Sequence, residues 1–321
     1  MMFMNIQGKI RSAIKKSLGI TFKSIPQFNR AIKHGLNIFS FHDVTDQPSN
    51  FAMEYGLAVS PEIFSRQVSW IQSNFNVIHP LDIINNKSLP LQAALITFDD
   101  GFLGSFNNGL AILKELNLPS VVFLNMKAII EHKPILSAVI CYLDRYVPQF
   151  SIYCKSKGLV PPFHLTINES ILNDFEGQYG AVDNKAVIEY QGIFADLNIV
   201  KKWNDKNHVM FGNHLFDHWN SPALSCEELV DEYRRNEMAL NQLDNAINLF
   251  AFPNGRFSER EVGCLKKLGA FKVFTSADRV NLDARNYMLG RIFLHGTDYN
   301  INHLWFRIGN AMLSGFMKNT F

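Results

Sequence analysis

Leu95-Ile96-Thr97-Phe98-Asp99-Asp100-Gly101 constrains the fold more than any other stretch of the chain. Four apolar or β-branched residues run straight into two carboxylates and a glycine. The run reads as a strand buried on both faces. Isolated ionised carboxylates are costly to desolvate, so such a strand should not end in two of them without a compensating cation, arginine or metal. Side chains alternate along a strand, so Asp99 and Asp100 face different partners. One is free to hold a metal while the other accepts a proton. The plainer reading is a turn in which Asp100 caps the following helix.

Two further strand ends carry titratable groups. Asn37–Phe41 leads into His42-Asp43, and Val209–Phe211 leads through Gly212-Asn213 into His214-Leu215-Phe216-Asp217-His218. Two histidines four apart plus one carboxylate form a ligand set that leaves positions open for water and substrate. No glutamate follows His214 and the pair follows a strand, which disfavours a zincin helix. Taken singly, His42 also reads as a satisfied strand-end histidine, and the pair as unrelated loop histidines. The next strand is Ser120–Leu124, after a helix over Ser105–Leu116, and this βαβ spacing implies parallel pairing. Further strands are expected at Asn248–Phe252, Phe271–Thr275 and Tyr287–His295, with a last helix over Asn300–Leu313. In parallel α/β folds, ligand sites lie at the C-terminal strand ends. That common placement of Asp99, Asp100, His42, His214 and His218 weighs more than any one motif.

Residues 127–205 break the rhythm with helical segments at Ile135–Tyr146, Asn168–Phe175 and Asn184–Leu197. They are expected to form an insertion or lid on one body of residues 35–321. At 321 residues, such a body fits one large α/β domain. Cys141, Cys154, Cys226 and Cys264 lie far apart with no CxxC, and are expected to be reduced and packed. Neither a membrane-span run nor a signal-peptide core is visible, so the expected location is the cytoplasm.

The net charge of +2 hides an asymmetry. Residues 1–42 hold seven Lys or Arg and no acid, whereas the remainder carries 24 basic and 29 acidic residues. Phe3, Ile6, Ile10, Ala13, Ile14 and Leu18 share one arc of a helix, with Lys9, Arg11, Lys15 and Lys16 outside it. Residues 1–34 are therefore expected to form a basic amphipathic arm. It either lies on an anionic membrane surface at the inner face or packs on the body. Without interleaved aromatics, no nucleic-acid partner is expected.

Thr97-Phe98-Asp99-Asp100-Gly101 resembles the first motif of the polysaccharide deacetylase (NodB-like) carbohydrate esterases, and Gly212–His218 resembles their metal motif. Ala251-Phe252-Pro253-Asn254-Gly255 resembles the third motif of the biofilm-polysaccharide branch, and Phe41-His42-Asp43-Val44 resembles its N-terminal histidine element. The similarity runs in family order over about residues 36–295, apart from the insertion. It implies a distorted (β/α) barrel with a helical insertion and a divalent metal, most often zinc. It also implies roles: Asp100, His214 and His218 as ligands, Asp99 as general base and His42 as general acid. Pro253 and Asn254 would line the sugar groove, and His295 is the alternative acid. Three positions depart from the pattern. Leu215 replaces Ser or Thr, Ala251 replaces a base-orienting arginine of many members, and Asn254 replaces an aromatic residue. The implied activity removes an N-acyl group, usually acetyl, from an amino sugar of a polysaccharide or its lipid-linked precursor. The alternatives are a deformylase or other amide hydrolase of the same fold, and a non-catalytic carbohydrate-binding relative.

Overall fold

The computed structural model describes the backbone of residues 2–318 and the side chains of residues 12–314. Eight short strands build the centre: β1 (Leu36–Phe41), β2 (Ala93–Phe98), β3 (Ser120–Leu124), β4 (Val209–Asn213), β5 (Ala246–Ala251), β6 (Lys272–Thr275), β7 (Met288–Gly290) and β8 (Ile292–Phe293). They pair in parallel in the order β7-β6-β5-β4-β3-β2-β1-β8. The outermost strands β7 and β8 are consecutive in the chain, with only Arg291 between them. They form one interrupted stave, and the sheet therefore bends round into a distorted barrel. Buried Asn281 fastens the seam, donating from Nδ2 to Gly290 O (2.8 Å) and Leu36 O (3.2 Å) and accepting from Gly290 N (2.8 Å). The single strand expected over Tyr287–His295 is thus a broken one, because residue 291 leaves the ladder to turn its side chain inward.

Alternation sorts the strand residues into two layers. Ile38, Leu95, Val121, Phe123, Leu249, Phe274 and Leu289 pack together on the inside. Phe39, Phe41, Ile96, Phe98, Val122 and Phe211 belong to a separate cluster under the surrounding helices. With helices on the outside, both faces are dry, and every residue of β1, β2 and β3 is buried, most of them apolar.

Seven helices matter below. These are α1 (Met2–Ser24), α2 (Pro26–His34), α3 (Asn50–Tyr55), α4 (Leu136–Tyr146), α5 (Cys226–Leu240), α6 (Glu259–Leu268) and α7 (Ile301–Lys318). Helix α4 belongs to the long segment between β3 and β4, which holds several helices around Phe150, Phe163, Phe175, Val187 and Tyr190. The helix expected over Asn184–Leu197 stops at Gln191, where Gly192 takes a left-handed φ of 94°. Two cysteines depart from the expected reduced state. Cys226 at the start of α5 and Cys264 in α6 form a disulfide, while Cys141 and Cys154 are free and buried. A separation of 38 residues hides the pair in the sequence; the packing of α5 on α6 brings it together.

The N-terminal helix packs along α7, and Ala13, Ile14 and Leu18, the described members of its apolar arc, are exposed. Ser12 Oγ meets His303 Nε2 at 3.1 Å and Lys15 meets Asp298 at 3.6 Å. A Cβ on Gly19 would run into the backbone of Asn302, and one on Gly309 into the Phe22 ring. The docked face thus combines Ser12, Lys15 and Gly19 with the Phe22 ring, whereas Ile14, Leu18 and Ile20 are 53%, 40% and 55% exposed. Phe3, Ile6, Ile10, Lys9 and Arg11 of the expected pattern lie outside the described side chains. Among the described residues, no helix is long and apolar enough to cross a membrane.

Candidate active site

Because every barrel strand is parallel, all carboxyl ends open at one mouth. The inward series Leu95, Thr97 continues to Asp99, and Ile38, Ser40 continues to His42. The pocket there spans about 770 Å³, counting space open to solvent. Its walls include His42, Asp99, Asp100, His214, His218 and Asn254.

Asp100 leaves the strand with φ 72° and is buried. That left-handed turn, eased by Gly101 (φ 106°), swings its carboxylate toward the two histidines. Oδ1 lies 3.3 Å from His214 Nε2 and 3.2 Å from His218 Nε2, yet no hydrogen bond satisfies it. An orphaned buried carboxylate oxygen facing two imidazole nitrogens is a ready cation position. One donor atom from each of Asp100, His214 and His218 lies within 4.8 Å of the others, so the three fit a single ion. His214 is oriented for this, since its Nδ1 donates to Ala251 O at 2.8 Å and leaves Nε2 bare. Burial pushes the Asp100 pKa up, but the His218 charge and contacts from both histidines hold it well below the carboxylate range.

The His214–His218 loop is held by amides that sequence reasoning missed. Asn125 Nδ2 donates to Leu215 O (3.1 Å), and Asn213 Oδ1 accepts from Leu215 N (2.9 Å). From α5, Asn236 donates to Asn213 Oδ1 and to Leu124 O, both at 2.8 Å, and Glu232 accepts from Asp217 N at 2.9 Å. Asp217 also pairs with Lys127. These contacts hold Leu215 and His218 at left-handed φ values of 60° and 56°.

Asp99 faces a different partner. Arg291 clamps it with two parallel hydrogen bonds, Nη1 to Oδ1 at 2.6 Å and Nη2 to Oδ2 at 2.7 Å. Burial raises the Asp99 pKa, but the Arg291 charge and the histidines outweigh it, so the carboxyl sits below its ordinary value. Arg291 supplies what the alanine at position 251 does not, and it arrives from the barrel seam. A lone arginine inside the apolar run Met288–Phe293 was the available signal.

His42 Nε2 stands 3.8 Å from Asp99 Oδ2, with its ring edge-on to Phe293 at 5.0 Å. Burial lowers its pKa below 6.5 against the opposing pull of Asp100 and Asp99. His295 does not line the pocket. It packs on the Phe293 ring at 4.3 Å, and its backbone is tied to Asp298 and Gln67. Pro253 is buried in the turn before Gly255 and is likewise absent from the pocket wall, where Asn254 and Gly255 stand instead.

A parallel barrel with a carboxylate and two histidines at its mouth, beside a second clamped carboxylate, defines a hydrolase-type centre. The chain belongs to the polysaccharide deacetylase family, whose model matches residues 86–272. It is accordingly a hydrolase of non-peptide carbon–nitrogen bonds. No curated protein matches the sequence. Among solved structures the fold is similar to IcaB from Ammonifex degensii (17% identity, TM-score 0.58, covering 85% of this chain and 97% of that one). It is also similar to the Streptococcus pyogenes deacetylase PplD in complex with acetate (14%, 0.56, 85% and 97%). A third is the de-N-acetylase from Aggregatibacter actinomycetemcomitans (17%, 0.53, 81% and 95%). At these identities the likeness is one of fold.

Proposed function

We propose that the protein removes an N-acyl group, chiefly acetyl, from an amino sugar of a polysaccharide or its lipid-linked precursor, using one divalent metal ion, zinc by preference. The observation that carries this reading is the convergence of Asp100, His214 and His218 on one point beside Asp99 and His42 in a single pocket. Two imidazoles and one carboxylate suit zinc. When bound, such an ion supplies Lewis-acid polarisation of the acyl oxygen and a water of lowered pKa. Asp99 removes the water proton as the new C–O bond forms. His42 Nε2 stands 3.8 Å from Asp99 Oδ2, so His42 is the group that relays this proton to the leaving nitrogen. The C–N bond then breaks, giving a carboxylic acid and a free amine. Asn254 at the rim is placed to meet the sugar.

The test is acetate release from N-acetylglucosamine oligomers by zinc-loaded protein. Asp99→Asn keeps zinc but loses about 10²–10⁴-fold in kcat, the usual weight of general acid–base catalysis. His214→Ala and His218→Ala lose zinc and keep the fold. Near-wild-type turnover in Asp99→Asn, or no divalent metal bound under any loading condition, sinks the reading.

The N-terminal arm supports a second element of the proposal, attachment to an anionic membrane surface. Ile14, Leu18 and Ile20 face away from the body, and Lys16, Lys23, Arg30 and Lys33 are exposed nearby along α1 and α2. We read the Cys226–Cys264 disulfide as suited to an oxidising compartment, because cytosolic thiols are kept reduced.

A further inference from the structure

Ser137, in the first turn of α4, lies outside every motif, yet it is buried against the metal loop. Its Oγ stands 2.8 Å from His218 Nδ1 and 3.3 Å from His218 O, and Asn254 Nδ2 approaches the same oxygen at 3.4 Å. A serine hydroxyl has one proton and two acceptor positions. All three are used here if Oγ–H donates to His218 O while the oxygen accepts from His218 Nδ1–H and Asn254 Nδ2–H. That arrangement pairs the hydroxyl with all three partners, and it leaves His218 Nε2 bare and facing Asp100, as a metal ligand must be. The same hydroxyl touches both ends of a residue whose backbone is in the left-handed region, a conformation that costs of order 1 kcal/mol or more unless the surroundings over-determine it.

We infer that Ser137 is a positioning residue for the metal centre: through its hydroxyl the 127–205 segment fixes the tautomer and ring orientation of His218. His214 obtains the equivalent service from the Ala251 carbonyl on the barrel itself. The two imidazoles thus differ in kind, one set by the barrel backbone and the other by a side chain on a helix between β3 and β4. That segment is therefore part of the active site rather than only a cover over it.

This inference rests on the metal reading above, and the experiment separates the two. Zinc affinity is measured on the full chain by competition with a chromogenic chelator. Removing the outer partner of a metal-bound histidine typically costs 10–100-fold in affinity, and Ser137→Ala is expected in that range. Ser137→Thr and Ser137→Val are matched in volume and differ in the hydroxyl. Thr should keep wild-type affinity and Val should lose it, with circular dichroism and thermal unfolding showing both folded. Wild-type zinc affinity in Ser137→Val, or equal loss in the Thr and Val variants, overturns the inference while leaving the metal reading standing. Failure of the wild-type protein itself to bind zinc or any other divalent ion overturns both.

Discussion

Arg291 shows how much one side chain decides in a barrel mouth. Its guanidinium forks onto Asp99, and both partners are buried. An arginine is suited to this because its planar donors match a carboxylate two for two. Arg291→Ala leaves a buried carboxylate uncompensated, at a cost of about 3–5 kcal/mol. Without the arginine charge the Asp99 pKa should rise, because Arg291 is what lowers it most. Arg291→Lys keeps the charge but cannot fork, and should retain most of the stability while losing turnover. Urea unfolding and acetate release read the two effects; a fully stable, fully active Arg291→Ala protein would show the clamp to be incidental. Asp99, Asp100, His42, His214 and His218 were legible in the sequence because each is a polar group at the end of an apolar run. Arg291 carried a similar mark, a charge inside a strand, but nothing in the sequence said which carboxylate it met.

Helix α5 performs two tasks at once. Asn236 and Glu232 hold the loop that presents the histidines, and Cys226 ties the helix to α6. In the chain-entropy picture a crosslink over 38 residues stabilises by about 4 kcal/mol. Glu232 works the other way above acid pH. Burial raises its pKa from 4.5 to about 7. The folded state thus holds a proton that the unfolded state releases near pH 4.5, and stability falls as pH rises between these values. Glu232→Gln keeps an acceptor for Asp217 N and removes the titration. Between pH 4 and pH 8 the variant should gain up to about 3 kcal/mol on the wild-type protein, from 1.36 kcal/mol per pKa unit. Chemical unfolding at both pH values checks this; an unchanged difference would mean that Glu232 ionises freely. The boundaries of β3 follow from its apolar run and match the sequence reading. The broken β7–β8 stave and the disulfide were not legible, because each depends on what lies beside the segment in space.

At the scale of the whole molecule, the barrel is closed by a strand that changes neighbours at one residue. Pairing with β6 on one side and β1 on the other forces the chain to cross the seam, and Arg291 at the crossing points its charge down the axis toward Asp99. The N-terminal helix is the other global feature. Docking through Ser12, Lys15, Gly19 and Phe22 leaves an apolar strip pointing outward. Basic side chains near an anionic bilayer are worth about 1 kcal/mol each and are screened by salt. Full-length protein should therefore sediment with phosphatidylglycerol vesicles at low salt and less so at high salt. Replacing Ile14, Leu18 and Ile20 by serine should abolish binding without loosening the docked face. Equal sedimentation of variant and wild-type protein, or none with either, leaves the strip without a membrane role.

The sequence by itself determined the parallel α/β sheet and the five titratable groups at its strand ends, and its family resemblance implied the barrel. Burial on both faces forces apolar runs, and a charge that ends such a run has to be accounted for within a few residues. It also determined that residues 1–34 carry an amphipathic, basic pattern. Which face of that helix docks was decided only in three dimensions. Close approach of two helices needs glycine at Gly19, against the Asn302 backbone, and at Gly309, beneath the Phe22 ring. The partners of Asp99 and His218 were likewise decided only in three dimensions. Arg291 lies 192 residues from Asp99 and Ser137 lies 81 from His218, and no local propensity or period encodes a contact across such distances.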